Sequence, residues 1–338
     1  MIRVFDMFAG YGGSEFALEL ANIKHKCIGY SEIDKAAIKC FDNNHPNIKN
    51  FGDCNAIDVN ELDSFNLLTA GFPCQPFSEA GKHKGGSDTR GTLFHEIIRI
   101  AEAKSPEYML LENVKGLTFA NHRNTFNVIL SELDRINYTV YWKVLNSRDY
   151  GIPQSRERVI FVCYRKDIKH SFKFPEKREL KIFLKDIVDP PTKKTIVSMA
   201  RRNINRSKHQ AKGLDYKTNG GLTFQKKIHW YAKNKKMADV GVSYAVKSAL
   251  HEYSIAELHD KSDLPDLDTV RPLTPKEAFR LMGFLNDEIN LDGLTKLQKY
   301  KLAGNGWDVN LISKVLAEMF SVKPKARSAK QMTLLEKH

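Results

Sequence analysis

The chain is poor in the features that mark extracellular, metal-stapled or membrane-spanning proteins. Its 338 residues include only five cysteines, Cys27, Cys40, Cys54, Cys74 and Cys163. The number is odd and no two have Cys-x-x-Cys spacing, so neither a disulfide framework nor a zinc site is expected. No apolar run approaches the roughly 20 residues that a membrane span requires. The start, Met1-Ile2-Arg3-Val4-Phe5-Asp6, puts an acid inside its first apolar stretch and lacks the plan of a signal peptide. No internal repeat is visible. These absences lead to the expectation of a cytoplasmic protein with no membrane partner and no metal.

What is present points elsewhere. A hydrophobic fraction of 42% with 10% aromatics can build packed cores, and the 28% charged fraction suits a soluble chain. The length suits a large domain plus a smaller one. The net charge of +13 is unevenly spread: residues 165–236 carry 21 Lys and Arg against 6 Asp and Glu, whereas the remainder is almost neutral. A merely solvated surface shares its charge more evenly, so this block points to a polyanion such as nucleic acid.

The first 165 residues alternate strand-like and helix-like patterns. Strands are expected at Ile2–Phe8, Cys27–Tyr30, Phe65–Ala70, Met109–Leu111 and Val159–Cys163, with a further short one ahead of Asp53. Helices are expected at Glu15–Leu20, Lys35–Asn43 and Thr125–Ile136. Such alternation predicts a mostly parallel sheet covered on both faces, with ligands at the carboxyl ends of its strands. From about 180 the pattern breaks into short, basic, polar segments punctuated by Pro190-Pro191 and Gly220-Gly221. Periodicity returns at Thr274–Leu281, where Thr274, Pro275 and Glu277 read as a cap, a first-turn proline and a capping-box acid. A last helix spans about Val309–Phe320.

Several residues carry chemistry by type and place. The turn Phe8-Ala9-Gly10-Tyr11-Gly12-Gly13 follows a strand and opens a helix, where glycines let a ligand approach the backbone. Many strand–helix turns carry glycine for steric reasons alone. Glu32, about 20 residues on, can accept hydrogen bonds from ribose hydroxyls, and Asp53 can hold an adenine amino group. The turn departs from dinucleotide Gly-x-Gly-x-x-Gly spacing, so an adenosyl ligand without pyrophosphate fits better. Cys74 sits in a Pro-Cys-Gln turn just after a strand, at the sheet edge where ligands bind. Glu112 follows another strand and would face the same cleft, where a carboxylic acid can protonate a ring nitrogen under thiolate attack. Arg156 and Arg158, at period two, would share a face and bind carbonyl and phosphate oxygens. Singly, such arginines equally describe a surface ion-pair cluster.

In order, Asp6-Met7-Phe8-Ala9-Gly10-Tyr11-Gly12-Gly13, Gly71-Phe72-Pro73-Cys74-Gln75, Glu112-Asn113-Val114, Gln154-Ser155-Arg156-Glu157-Arg158, Arg271–Phe284 and Gly304-Asn305 make the chain recognisable. It resembles the bacterial DNA (cytosine-5)-methyltransferases of the restriction-modification type across nearly its whole length, except about 190–265. The resemblance implies an α/β fold: a Rossmann-like, mostly parallel sheet that binds S-adenosylmethionine, plus a smaller irregular target-recognition domain. It implies a discontinuous catalytic domain over 1–185 and 301–338, with 186–300 inserted for recognition. Cys74 would add to carbon 6 of a flipped-out cytosine, Glu112 would protonate nitrogen 3, Arg158 would steady the carbonyl at carbon 2, and Arg156 and Gln75 would assist. Phe8, Gly10, Tyr11, Gly12, Gly13, Glu32, Ile33, Asp53, Cys54, Pro73 and Asn305 match positions around the cofactor, whose product would be S-adenosylhomocysteine. Gly81–Arg90 matches the family's mobile loop.

Ser78, Arg90, Arg201, Arg202, Arg206, Lys226 and Lys227 are candidate DNA contacts. Double-stranded DNA is the implied partner, with a cognate restriction endonuclease in the same system but no stable complex, and the enzyme is expected to be a monomer. One departure stands out. The family usually has a small residue and then Val after Gly-Asn, whereas this chain has Gly306-Trp307-Asp308-Val309. The rivals are a transfer-RNA cytosine methyltransferase, whose Cys-Phe-Thr signature is missing here, and a silent DNA-binding relative, which would lack the cysteine or glutamate kept here.

Overall fold

Along each central strand, consecutive side chains are buried on opposite faces, and that period of two assembles two separate cores. The structure, a computed structural model, describes residues 1–73, 93–189, 222–226, 243–244, 253–257 and 266–324. Its elements run β1 (Ile2–Met7), α1 (Gly13–Leu20), β2 (His25–Ser31), α2 (Lys35–Asn44), β3 (Leu67–Gly71), α3 (Leu93–Lys104), β4 (Tyr108–Val114), α4 (Arg123–Arg135), β5 (Tyr138–Asn146), β6 (Gln154–Ser155) and β7 (Glu157–Arg165). There follow β8 (Leu222–Lys226), β9 (Ser243–Tyr244), β10 (Tyr253–Glu257), β11 (Asp266–Pro272), α5 (Pro275–Arg280), α6 (Lys296–Asn305) and α7 (Val309–Met319).

The main sheet has the order β2-β1-β3-β4-β7-β5. The first four strands are parallel, and β7 runs antiparallel to both β4 and β5. This is the mostly parallel α/β sheet expected from the alternating pattern. On one face Val4, Leu67, Leu110, Ile160 and Val162 pack with Ala17 and Leu18 of α1 and Ile312, Val315 and Leu316 of α7. On the other, Phe5, Leu68, Met109, Leu111 and Phe161 meet Ile97 and Ala101 of α3 and Ile129 and Leu133 of α4. Each Val, Leu, Ile, Phe or Met among them stabilises the fold by about 1.5–3 kcal/mol on full burial.

Absent from the sequence expectation are α3, the edge strand β5 and α6, together with the short strands β6 and β8 to β11, the last four in the stretch read as irregular. Conversely, the strand expected before Asp53 is reduced to one isolated bridge between Tyr30 and Asn50. The predicted capping box is present. Thr274 accepts from the Glu277 N–H, and Glu277 Oε2 accepts from the Thr274 N–H at 2.7 Å. Glu277 Oε1 also accepts from the Asp189 N–H at 2.7 Å, and Arg280 donates to the Ile187 carbonyl and to Asp189. The ends of the segment between Asp189 and Leu273 are thus clamped together. From that segment β8, β10 and β11 form a three-stranded antiparallel sheet, and β9 pairs with β6. Leu273, Phe279, Met282, Phe284 and Tyr300 belong to the main core, although the sequence reading groups 186–300 with the recognition domain.

Candidate active site

The carboxyl ends of β1, β2, β3 and β4 open into one cavity of about 710 Å³, closed on the far side by the end of α6 and the turn that follows it. Its walls include Phe8 to Tyr11 after β1, Glu32 to Asp34 after β2, Gly71 to Pro73 at the end of β3, and Glu112 to Val114 on β4, with Arg158 on β7. Gln298, Lys301, Leu302 and Gly304 to Trp307 complete it. Parallel α/β sheets bind ligands at this edge because the strands end there and the connecting turns leave a crevice.

The β1–α1 turn is held in an unusual conformation. Phe8 has φ 57°, a region in which a bulky side chain is rare, and strain of this kind collects at ligand sites. Gly12, at φ 84°, caps α1, and a Cβ there would stand 2.6 Å from the His45 ring. Below the turn Asp6 is buried and accepts hydrogen bonds from Ser14 and Thr69. Burial pushes its carboxyl up to about 7. Glu32 grips the neighbouring loops: it accepts from the N–H groups of Gly10 at 3.0 Å, Ile33 at 2.8 Å and Asp34 at 2.9 Å. Ile33 is 70% exposed at the cavity rim, an apolar side chain available to a flat ring. Nothing lies within 4 Å of a Cβ placed on Gly10, so this turn borders open space. Glycine turn, carboxylate and exposed isoleucine form a cradle that fits an adenosyl group.

Across the cavity, Glu112 and Arg158 pair at 2.7 Å between adjacent strands. Arg158 spends one further N–H on the Glu157 carbonyl at 2.9 Å, and Glu157 is itself paired with Lys115 at 2.8 Å. Asn113 donates to the Phe72 carbonyl at 3.0 Å and so pins the chain two residues ahead of Cys74. Arg156 differs from the expectation that both arginines reach for ligand oxygens. It is 1% exposed and donates to the Gly304 and Gly306 carbonyls, 2.7 Å for the latter. Burial, with Arg158 alongside, lowers its guanidinium to about 9. The reason is local: Arg156 falls in the break between β6 and β7, not on the strand that carries Arg158.

Cys27, Cys40, Cys54 and Cys163 are buried, and burial raises all four thiols, Cys54 to about 11 and Cys40 to about 12. They remain protonated and unreactive, as small core side chains. Cys74, Gln75, Ser78, Arg90, Arg201, Arg202, Arg206 and Lys227 lie outside the described residues; Lys226 ends the strand β8. Of the cofactor candidates, Phe8, Gly10, Tyr11, Gly13, Glu32, Ile33, Pro73 and Asn305 line the cavity. Asp53 does not: it is exposed and caps the turn Cys54–Ala56 through the Asn55 N–H. Cys54 is buried below that turn. The sequence reading missed Asp6, Ser14, Asn113, Gln298 and Lys301. Asp6 and Asn113 stand inside quoted motifs and were legible there; Gln298 and Lys301 are brought in only by α6. Among the described residues no three His, Cys, Asp or Glu side chains are arranged to hold a metal ion, and no helix is long and apolar enough to cross a membrane.

Comparison with known proteins bears on the family and the fold. Residues 2–321 match the family model described as C-5 cytosine-specific DNA methylase. Type II methyltransferase M.NlaX of Neisseria lactamica is 35% identical over 331 residues, covering 94% of this chain and 96% of that protein. Type II methyltransferase M.HhaI of Haemophilus parahaemolyticus is 31% identical, covering 92% of each. Among solved structures, a DNMT2 mutant of Spodoptera frugiperda superposes with a TM-score of 0.70 at 18% identity, covering 95% of this chain and 100% of that one. At that identity the structural likeness bears on the fold alone.

Proposed function

The chain belongs to the C-5 cytosine-specific DNA methylase family, and on that premise we propose how its residues divide the work of a DNA (cytosine-5)-methyltransferase. The observation that carries the reading is one of convergence. The Glu112–Arg158 pair opens into the same cavity as the glycine turn and Glu32. S-adenosylmethionine, when bound, supplies an electrophilic methyl group on a positively charged sulfur. The turn Phe8–Gly13, Glu32, Ile33, Pro73 and Asn305 would hold it, Ile33 offering its exposed apolar side chain to the adenine ring.

Cytosine hides its ring faces inside a duplex, so the target base must leave the stack to be attacked. The Cys74 thiolate forms a bond to carbon 6, and Glu112 holds the proton at nitrogen 3 as that nitrogen gains electron density. Arg158 keeps Glu112 aimed, and of its five N–H donors those not spent on Glu112 and Glu157 serve the carbonyl at carbon 2. Carbon 5 becomes nucleophilic and takes the methyl group. Loss of its proton to a base restores the ring double bond and expels Cys74. Arg156 acts one step back, holding the Gly304–Gly306 backbone at the cavity wall.

The segment of about 190–272 serves as the target-recognition lobe. Packing of Leu273 to Tyr300 in the main core supports ending it there rather than at 300. Its partner is double-stranded DNA, contacted by the basic segment, Ser78 and Arg90. The names of the relatives support a place in a restriction-modification system, with a cognate endonuclease that forms no stable complex with this monomer. It works in the cytoplasm, where bacterial DNA lies. With tritiated cofactor, duplex DNA should acquire label and transfer RNA should not. Label on transfer RNA alone would overturn the substrate.

A further inference from the structure

Trp307, the residue at which this chain departs from the family pattern, stands in the cavity wall and is 7% exposed. Three contacts hold it. Its carbonyl accepts a hydrogen bond from the Tyr11 hydroxyl. Its Cβ lies 3.1 Å from the point where a Gly13 side chain would begin. Its Nε1 lies 2.5 Å from the corresponding point on Gly71, so the indole occupies space that any side chain at 71 would need. Trp307 therefore bridges the β1–α1 turn and the end of β3, which continues through Phe72 and Pro73 into Cys74.

Methyl transfer constrains where the donor's sulfur stands. Carbon 5 adjoins carbon 6, the atom attacked by Cys74, so the sulfur belongs at the Gly71–Pro73 end of the cavity. The indole is at that end. An aromatic ring attracts a cation over its face, tryptophan most strongly, and more so where water is excluded. The donor carries a sulfonium charge; the product, a neutral thioether, does not. We propose that Trp307 is a specificity-determining residue of the donor site, holding the sulfonium form more tightly than the thioether product. The inference rests on the cofactor reading of the cavity given above. Its consequence is weaker product inhibition than the cavity would show with an aliphatic residue at 307.

Calorimetric titration of the full chain without DNA, with S-adenosylmethionine and with S-adenosylhomocysteine, tests it. In Trp307→Val the preference for the donor over the product should fall by roughly five- to thirty-fold, the span a cation–π contact provides. Trp307→Phe should retain part of the preference, and thermal melts would establish that each variant is folded. Should Trp307→Val not fold, Trp307→Phe carries the test alone, since phenylalanine is the weaker ring. Equal weakening of both ligands, or an unchanged ratio, would reduce Trp307 to a packing residue and overturn the proposal. Wild-type chain that binds neither ligand would instead overturn the reading of the cavity itself.

Discussion

Asp6 sits at the penultimate position of β1, its oxygens hydrogen-bonded by Ser14 and Thr69, and its carboxyl is raised by burial from 3.8 to about 7. Between those values the folded chain holds a proton that the unfolded chain has released, so stability falls as pH rises through that window. Above about pH 7 the full cost is present, on the order of 4 kcal/mol from the width of the shift. Asp6→Asn, which has no proton to lose, should gain on the parent as pH goes from about 4 to about 8. Urea unfolding at the two extremes measures this, and a pH-independent gap would refute burial as the cause. At the same scale Cys74→Ser should lose turnover while keeping DNA affinity, since its hydroxyl is far less nucleophilic than a thiolate. Retained turnover would remove Cys74 from the mechanism.

Among the elements, α5 shows how much a short local signal can specify. Thr274, Pro275 and Glu277 announce the start of the helix in the sequence, and the same Glu277 also ties down Asp189. Thr274→Ala should cost about 1 kcal/mol by loss of the cap, read as a lower midpoint in chemical denaturation. The turn after α6 is the opposite case. A Cβ on Gly306 would run into the Tyr11 ring, so Gly306→Ala should destabilise by about 1–3 kcal/mol through overpacking. An unperturbed melting temperature would show that the ring yields freely. Strand β5 escaped the sequence reading because it is an edge strand of mixed exposure, without clean alternation. Helix α6 escaped because its buried residues gather at its C-terminal half instead of repeating along it.

For the molecule as a whole, charge and connectivity divide the work. Lys and Arg concentrated over 165–236 should neutralise DNA phosphates and release counterions. Affinity should then fall linearly in log–log form with salt, by roughly 0.9 per phosphate contacted. Binding that hardly changes between low and high salt would assign the block another purpose. Which bases surround the target cytosine is a separate matter, answered by bisulfite sequencing of DNA from cells that express the chain.

The sequence by itself determined the strand–helix alternation and the order of the motifs, because motif spacing and hydrophobic period are local properties of the chain. Only the tertiary structure decided that Arg156 faces inward to backbone carbonyls while Arg158 faces Glu112. It alone brought Lys301 and Trp307, about 300 residues after the glycine turn, into the same cavity wall. It also counted Leu273 to Tyr300 with the main core. Each of these depends on which surfaces meet when the last helices return to the first strand, and a linear pattern carries no record of that.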